Sequence, residues 1–223
     1  MESLDELREW IAEDEALASL QVRVEASLGD DPGHDLGHLL RVALWTVRLA
    51  EDGVDRRAAV AASLLHDLVS PAKDSPENAS ASERSAEAAR RLLPALGFDA
   101  VAVDEIAQAI EDHSYSRGAT PRSPLGRALQ DADRLDALGA LGVFRALVCG
   151  VRMGSELFDA CDPWAENREL DDKRFTVDHF FTKLLNLAQT MNTEAGRREA
   201  AARVEFMRRY LEQLGYEIGR ELP

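Results

Sequence analysis

Five histidines and a scatter of aspartates are the groups in this 223-residue chain that could bind a metal or move a proton. The stretch LLHDLVSP, residues 64–71, sets His66 and Asp67 side by side among Leu64, Leu65, Leu68 and Val69. A buried charge is costly unless it is paired or coordinates a metal, so this doublet in an apolar run needs a partner. Neighbours on a helix point about 100° apart, yet both can reach one ion seated over the helix edge between them. His34 and His38 are four residues apart and share a helix face. Their spacing fits a chelating pair as well as it fits a helix-cap histidine followed by one at the core's edge. Further on, QDADRLDALGA carries Asp131, Asp133 and Asp136 among Leu129, Leu135 and Leu138. A solvated face accounts for Asp131 but less well for Asp133 and Asp136. A carboxylate turned inward finds a natural partner in a metal.

Taken together, these residues offer His38, His66, Asp67 and Asp133, one helix giving two ligands and two others giving one each. Two imidazoles and two carboxylates make a mixed nitrogen and oxygen set without thiolate. It suits manganese, iron, cobalt, nickel, zinc or magnesium rather than a structural thiolate zinc site. Four protein ligands leave open positions on an octahedral ion, where water and a phosphate oxygen can enter. The lack of further histidine or aspartate ligands at evident spacing favours one ion over two.

The elements that must position these groups read as helices joined by polar loops. Leu4, Leu7 and Ile11, continuing through Leu17, Leu20 and Val24, recur at helical spacing. DDPG at 30–33 breaks the chain, and 34–50 forms a second amphipathic helix. DRRAAVAASLLHDL is a third, with Asp55 at its N-cap. SPAKDSPENASAS is a loop, SERSAEAARRLLPALG a helix ending at Gly97, and residues 99–113 another helix. The run LGRALQDADRLDALGALGVFRALV reads as one helical stretch, with Gly139 and Gly142 as close-packing points. RMGSELFDACDPWAENRELDDKRF has little periodicity and the length of a lid or binding loop. Helices over about 176–191 and 194–214 complete the chain. With no alternating strand pattern and no internal repeat, the fold class is all-α in one domain.

Composition narrows the function. The net charge of −15 argues against nucleic-acid backbone as partner, because phosphate neutralisation needs clustered Lys and Arg. A small phosphorylated ligand stays open, since a bound metal and a few local cations outweigh the global field inside a cleft. Cys149 and Cys161 have neither metal-ligand spacing nor a disulfide framework and read as reduced thiols. The acidic, amphipathic N-terminus does not have the form of a signal peptide, and no apolar run is long enough to span a bilayer. The expected compartment is the cytoplasm, with no membrane partner.

The H…HD…D order on helices resembles the HD-domain metal-dependent phosphohydrolases. HLLRVALWTVRLA at 38–50 is similar to that family's first-histidine helix, LLHDLV to its His-Asp helix, and LQDADRLDALGALGVFR to its distal aspartate helix. The likeness is closer to a subgroup of small bacterial HD hydrolases. Its marks are matched by Pro71 to Lys73 with an alanine inserted, by His113 to Ser116, by Leu170 to Arg174, by Asp178 to Leu185, and by Met191 to Thr193 with Gly196. The resemblance spans nearly the whole chain. It implies a helical HD-domain bundle over 1–223, a metal-binding core at about 34–137, and C-terminal helices and loop at about 152–223 completing a cleft.

By this resemblance His38, His66, Asp67 and Asp133 are the metal ligands, with manganese the favoured divalent ion. His113 assists proton transfer, beside Asp67 and Lys183. Lys73, Lys173, Arg174 and Lys183 hold phosphates, and Asp136 contacts substrate or a phosphate-binding arginine. Without the resemblance, His113 reads as a helix-ending histidine that caps carbonyls. Lys183 then reads as a snorkelling lysine, and DDKR at 171–174 as a solvated charge run. His34 is a further substrate contact, His179 is structural, and Arg145 pairs with one of the buried aspartates. The implied activity is attack of metal-activated water on a phosphate ester or anhydride of a nucleotide, with a nucleoside triphosphate cut to release pyrophosphate as the favoured case. The alternative is a catalytically silent nucleotide-binding or sensory module. Self-association is open, since the N-terminal helix and the C-terminal pair each present a surface.

Overall fold

The structure, a computed structural model, describes residues 1–29, 35–69, 80–114 and 118–223. Every regular element among the described residues is helical, and a single isolated bridge joins Glu156 to Phe175. None of the described helices is long and apolar enough to cross a membrane. The chain divides into two compact units, Met1–Asp133 and Arg134–Pro223.

The first unit is built around one buried helix. Helices α1 (Leu4–Glu13), α2 (Glu15–Glu25), α3 (Leu36–Leu49), α4 (Arg56–Leu65), α5 (Ala81–Leu92) and α6 (Ala100–Asp112) lead into α7 (Pro124–Asp136). Every residue of α4 from Ala58 to Leu65 is buried, because α2, α3, α5 and α6 all pack against it. A helix that is apolar all round belongs inside a fold, and its alanines let four neighbours come close. The first expected helix is two: Asp14 ends α1 and caps α2 by accepting from Ala16 N and Leu17 N, both at 3.0 Å. Asp55 caps α4 as expected, accepting from Ala58 N at 2.8 Å.

The second unit contains α8 (Gly139–Met153), α9 (Asp178–Thr182) and α10 (Glu194–Ile218), with α8 and a 3-10 segment at 184–190 packed on α10. The expected stretch at 125–148 breaks into α7 and α8 at Gly139, whose φ is +71°. Gly142 sits so close to the preceding turn that a Cβ there would lie 2.2 Å from Ala137 O. The helix expected over 176–191 is interrupted at Lys183 (φ −133°, ψ −61°), where α9 gives way to the 3-10 segment.

The irregular stretch between α8 and α9 is pinned rather than loose. Glu156 and Leu157 exchange backbone hydrogen bonds with 174–177 at 2.8–2.9 Å, closing its ends. Arg168 donates to both oxygens of fully buried Asp178, at 2.5 and 2.8 Å, and its guanidinium lies 4.5 Å from the centre of the Phe175 ring. Trp164 Nε1 donates to Arg220 O at 2.9 Å.

Candidate metal centre

Local backbone chemistry aims each group of the expected ligand set. His38 lies in the first turn of α3, where the N-cap Asp35 accepts its backbone N–H at 2.7 Å. His66 and Asp67 are not inside a helix, as the apolar run suggested. His66 is the C-cap of α4, and Asp67 follows in the turn closed by Leu68 N to Leu65 O at 3.1 Å. Leaving the helix there lets both side chains face the same way. His66 Nδ1 is bound to Ser63 O at 2.7 Å, so Nε2 is the nitrogen left to act. Ser63 Oγ is within reach of Ala59 O (2.8 Å) and of Thr46 Oγ1 (3.0 Å), its one proton serving a single acceptor at a time. This buried hydroxyl pair ties α4 to α3, the two helices that supply the histidines. Asp133 comes from α7.

Nε2 of His38, Nε2 of His66 and a carboxylate oxygen of Asp67 gather within 4.8 Å of one another. Asp67 Oδ2 is 3.5 Å from His66 Nε2 and 3.8 Å from His38 Nε2, while Asp133 Oδ1 is 3.6 Å from His38 Nε2 and 3.8 Å from His66 Nε2. The histidines form a floor and the carboxylates a rim. The imidazoles are at most 1% exposed, and the side chains of Asp67 and Asp133 are 22 and 28% exposed.

A divalent ion fits this arrangement. His66 Nε2 is buried and makes no hydrogen bond, a costly state for a polar atom with nothing to bind. Donors about 2.1 Å from one ion stand about 3.0 Å apart at right angles and about 3.4 Å apart at the tetrahedral angle, so the observed separations close on an ion with small shifts. The two carboxylate charges would balance a dication. Burial pushes the His66 imidazole below its ordinary range, against the pull of Asp67 and with His113 and His38 adding to the effect. The neutral imidazole is the form a metal requires. Burial works to raise Asp67, but His66 beside it and the facing imidazoles of His113 and His38 hold its carboxyl well below the usual range.

His113, the C-cap of α6, binds a helix-end carbonyl and also faces Asp67. Its Nδ1 binds Ile110 O at 2.6 Å, and its Nε2 stands 3.5 Å from Asp67 Oδ1. Its ring meets that of His66 edge-on at 5.0 Å, and His66 in turn lies 5.3 Å from His38. Burial works to lower the His113 imidazole, but the Asp67 hydrogen bond and the charges of Asp67 and Asp133 raise it.

The other expected site residues fall into two groups. His34 and Lys73 fall outside the described residues. Asp136, Lys173, Arg174 and Lys183 belong to the second unit. There Asp136 is buried and takes the Arg145 guanidinium, the partner expected for that arginine. Lys173 is exposed, and Arg174 reaches Glu156 at 3.4 Å and lies 4.7 Å from the centre of the Phe175 ring. His179 binds Asp172 at 3.1 Å. The sequence reading expected a carbonyl cap for His113 without naming Ile110, and it missed the carbonyl of Ser63 and the Thr46–Ser63 pair. The available signal was a histidine three residues beyond each carbonyl at a helix end.

Comparison with known proteins places this geometry in context. The model of the HD domain family matches residues 35–138, which take in all five groups just described. The Bacillus subtilis protein YpgQ is 32% identical over 201 residues, 87% of this chain and 90% of its own. A crystal structure of that protein in complex with ADP aligns at 29% identity with a TM-score of 0.70, over 92% of this chain and 98% of that one. An HD-superfamily hydrolase from Bacillus thuringiensis aligns at 29% identity and a TM-score of 0.68, over 94 and 97% of the two chains.

Proposed function

The chain belongs to the HD-domain family, and on that premise we propose that it is a divalent-metal-dependent phosphohydrolase acting on a nucleotide. The observation that carries this reading is the convergence of His38, His66, Asp67 and Asp133 from three separate stretches of chain, with a buried Nε2 of His66 left to bind something. These four would hold the ion, and manganese suits their mixed donors. When bound, a divalent ion supplies Lewis acidity toward a phosphoryl oxygen and toward water.

The chain's own groups then have distinct tasks. Ser63 O and Ile110 O hold the rings of His66 and His113 so that each presents Nε2. Asp67 turns one oxygen to the two ligand histidines and the other to His113. His113 Nε2 is the atom assigned to proton transfer, taking a proton from the attacking water or giving one to the leaving oxygen. The family motifs around DDKR and HFFTKLL make Lys173, Arg174 and Lys183, with Lys73 and Asp136, the side chains to test for phosphate and substrate contact.

Among nucleotides we favour a nucleoside triphosphate cut at the α–β anhydride with release of pyrophosphate. The ADP complex of the relative YpgQ supports a nucleotide. It also fits the second reading, a silent nucleotide-binding module, and turnover separates the two. Purified protein is assayed for phosphate and pyrophosphate release with Mn²⁺ across nucleotides and non-nucleotide phosphate esters, beside Asp67→Ala. Nucleotide turnover that vanishes in the variant is the expected result. Tight nucleotide binding without turnover would leave the binding module, and turnover confined to non-nucleotide esters would end the nucleotide preference.

A further inference from the structure

The run QDADRLD also carries Gln130, a buried polar residue that the metal centre does not use. Gly126, Gln130 and Asp133 lie on one face of α7, at i, i+4 and i+7. Gly126 is where this face comes against α6, since a Cβ there would lie 3.6 Å from Ala109 Cα. One turn further on, Gln130 Nε2 donates to Asp112 O at 2.9 Å and to Ala119 O at 3.1 Å. The last carbonyls of a helix have no partner within it, and a primary amide brings two N–H donors. The carbonyl that Gln130 takes from α6 belongs to the peptide joining Asp112 to His113. The buried carboxylate of Asp112 is gripped as well. Arg122 Nη2 donates to its Oδ1 at 2.8 Å, while Nε and the backbone N–H of Arg122 donate to its Oδ2 at 2.9 and 3.1 Å. A two-pronged guanidinium contact fixes direction as well as distance.

We propose that Gln130 and Arg122 are positioning residues for His113, holding the residue before it so that its ring stays aimed at Asp67. The proposal rests on the phosphohydrolase reading, in which His113 Nε2 moves the proton. The ring's own bond, to Ile110 O at 2.6 Å, ties it only to the end of the helix that carries it. That bond does not set where the helix end stands relative to α7. Gln130 does, and the same helix bears Asp133, whose Oδ1 is 3.6 Å from His38 Nε2. One amide therefore spaces the proton-transfer group from the proposed ligand set. An apolar side chain of similar length would fill the same volume but leave the buried Asp112 O without a donor. Arg122 completes the grip from the loop side, so that Asp112 is held at its carbonyl and its carboxylate together. A misplacement of about 1 Å at a reacting group costs up to about 10²-fold in rate, which makes so remote a grip visible in kcat.

The test compares wild type, Gln130→Met, His113→Gln and the double variant by elemental analysis, by kinetics and by crystallography. Kinetics use Mn²⁺ and whichever common nucleoside triphosphate wild type cuts fastest. Gln130→Met is expected to keep the bound metal and the KM of wild type and to lose about tenfold or more in kcat. Added to His113→Gln, it is expected to cost nothing further, because the group it positions is already gone. Its crystal structure is expected to show the His113 ring turned from Asp67 while His38 and His66 keep their places. Should Gln130→Met not fold, Arg122→Leu is read in the same way, since that side chain is half-exposed and lies outside the core. Wild-type kcat in the variant, or a loss that adds in full to that of His113→Gln, would overturn the proposal. Metal lost along with activity would overturn it too, by showing that Gln130 acts through Asp133. A wild type without turnover would end the phosphohydrolase reading, and the ring position in the variant crystals would still decide the grip: an unmoved ring refutes it.

Discussion

His113 Nε2 stands 3.5 Å from Asp67 Oδ1 while Nδ1 of the same ring is held by Ile110 O at 2.6 Å. The backbone bond fixes the ring, and the carboxylate it faces also faces His66 and His38. A histidine placed in this way can pass a proton without holding the ion. His113→Gln is therefore expected to keep its bound metal and lose about 10²-fold or more in kcat. Elemental analysis beside steady-state kinetics checks this. Metal lost along with activity would make His113 a ligand instead.

Asp133 would close the proposed ligand set from α7, within 3.8 Å of both histidine nitrogens. An ion that binds only the folded chain stabilises it by about 2.7 kcal/mol at a hundredfold excess over Kd. Wild type is expected to melt several degrees higher with Mn²⁺ than with EDTA, and Asp133→Ala to melt at the same temperature in both. Thermal melts with and without chelator read the difference. An unchanged metal response in the variant would remove Asp133 from the site.

How much of this was legible in the sequence follows from which forces act locally. The helices were readable because apolar spacing and N-caps such as Asp55 are local signals, and Gly139 and Gly142, expected as close-packing points, do lie close to the Arg203 side chain and to Ala137 O. The ligand types were readable because a His-Asp doublet amid leucines needs a partner. The breaks were not. Asp14 ends one helix and begins another without a gap, and α4 stops at Leu65 so that His66 and Asp67 can turn together. Periodicity runs through such points, because the apolar residues on either side still face a core. Spacing alone did not separate the two readings of His113, which only the family resemblance favoured for proton transfer, since a carbonyl cap and an aimed imidazole look alike until the neighbouring helix is in place.

The Asp172–His179 pair gives a pH signature within the second unit. The hydrogen bond from His179 is the main influence lowering the Asp172 carboxyl, with Thr182 adding a second at 3.0 Å, while partial burial opposes both. A carboxyl depressed in the folded state contributes stability above its unfolded value and loses it as pH falls through the folded one. Asp172→Asn is thus expected to be slightly less stable than wild type near neutrality, and the gap to close as pH drops below 3.8. The pair is partly solvated, so the difference is a few tenths of a kcal/mol. Denaturant titrations of both proteins across pH 3–7 test it, and a gap that widens toward acid would reverse the assignment.

Asp136 ends α7 three residues beyond Asp133, is 3% exposed, and takes the Arg145 guanidinium from α8. Removing one partner of such a pair leaves a buried charge without its counter-ion, and Arg145→Ala is expected to cost about 3 kcal/mol. Replacing both partners avoids that penalty. Asp136→Leu with Arg145→Met is expected to lie within about 1 kcal/mol of wild type, with a large coupling in the double-mutant cycle. The same four proteins decide whether Asp136 also serves substrate. A purely structural pair leaves the stable double variant with wild-type KM for the nucleotide, because the packing has been restored without the carboxylate. A KM that rises several-fold while the fold stays intact would mean that the carboxylate, or the arginine it orients, contacts the ligand.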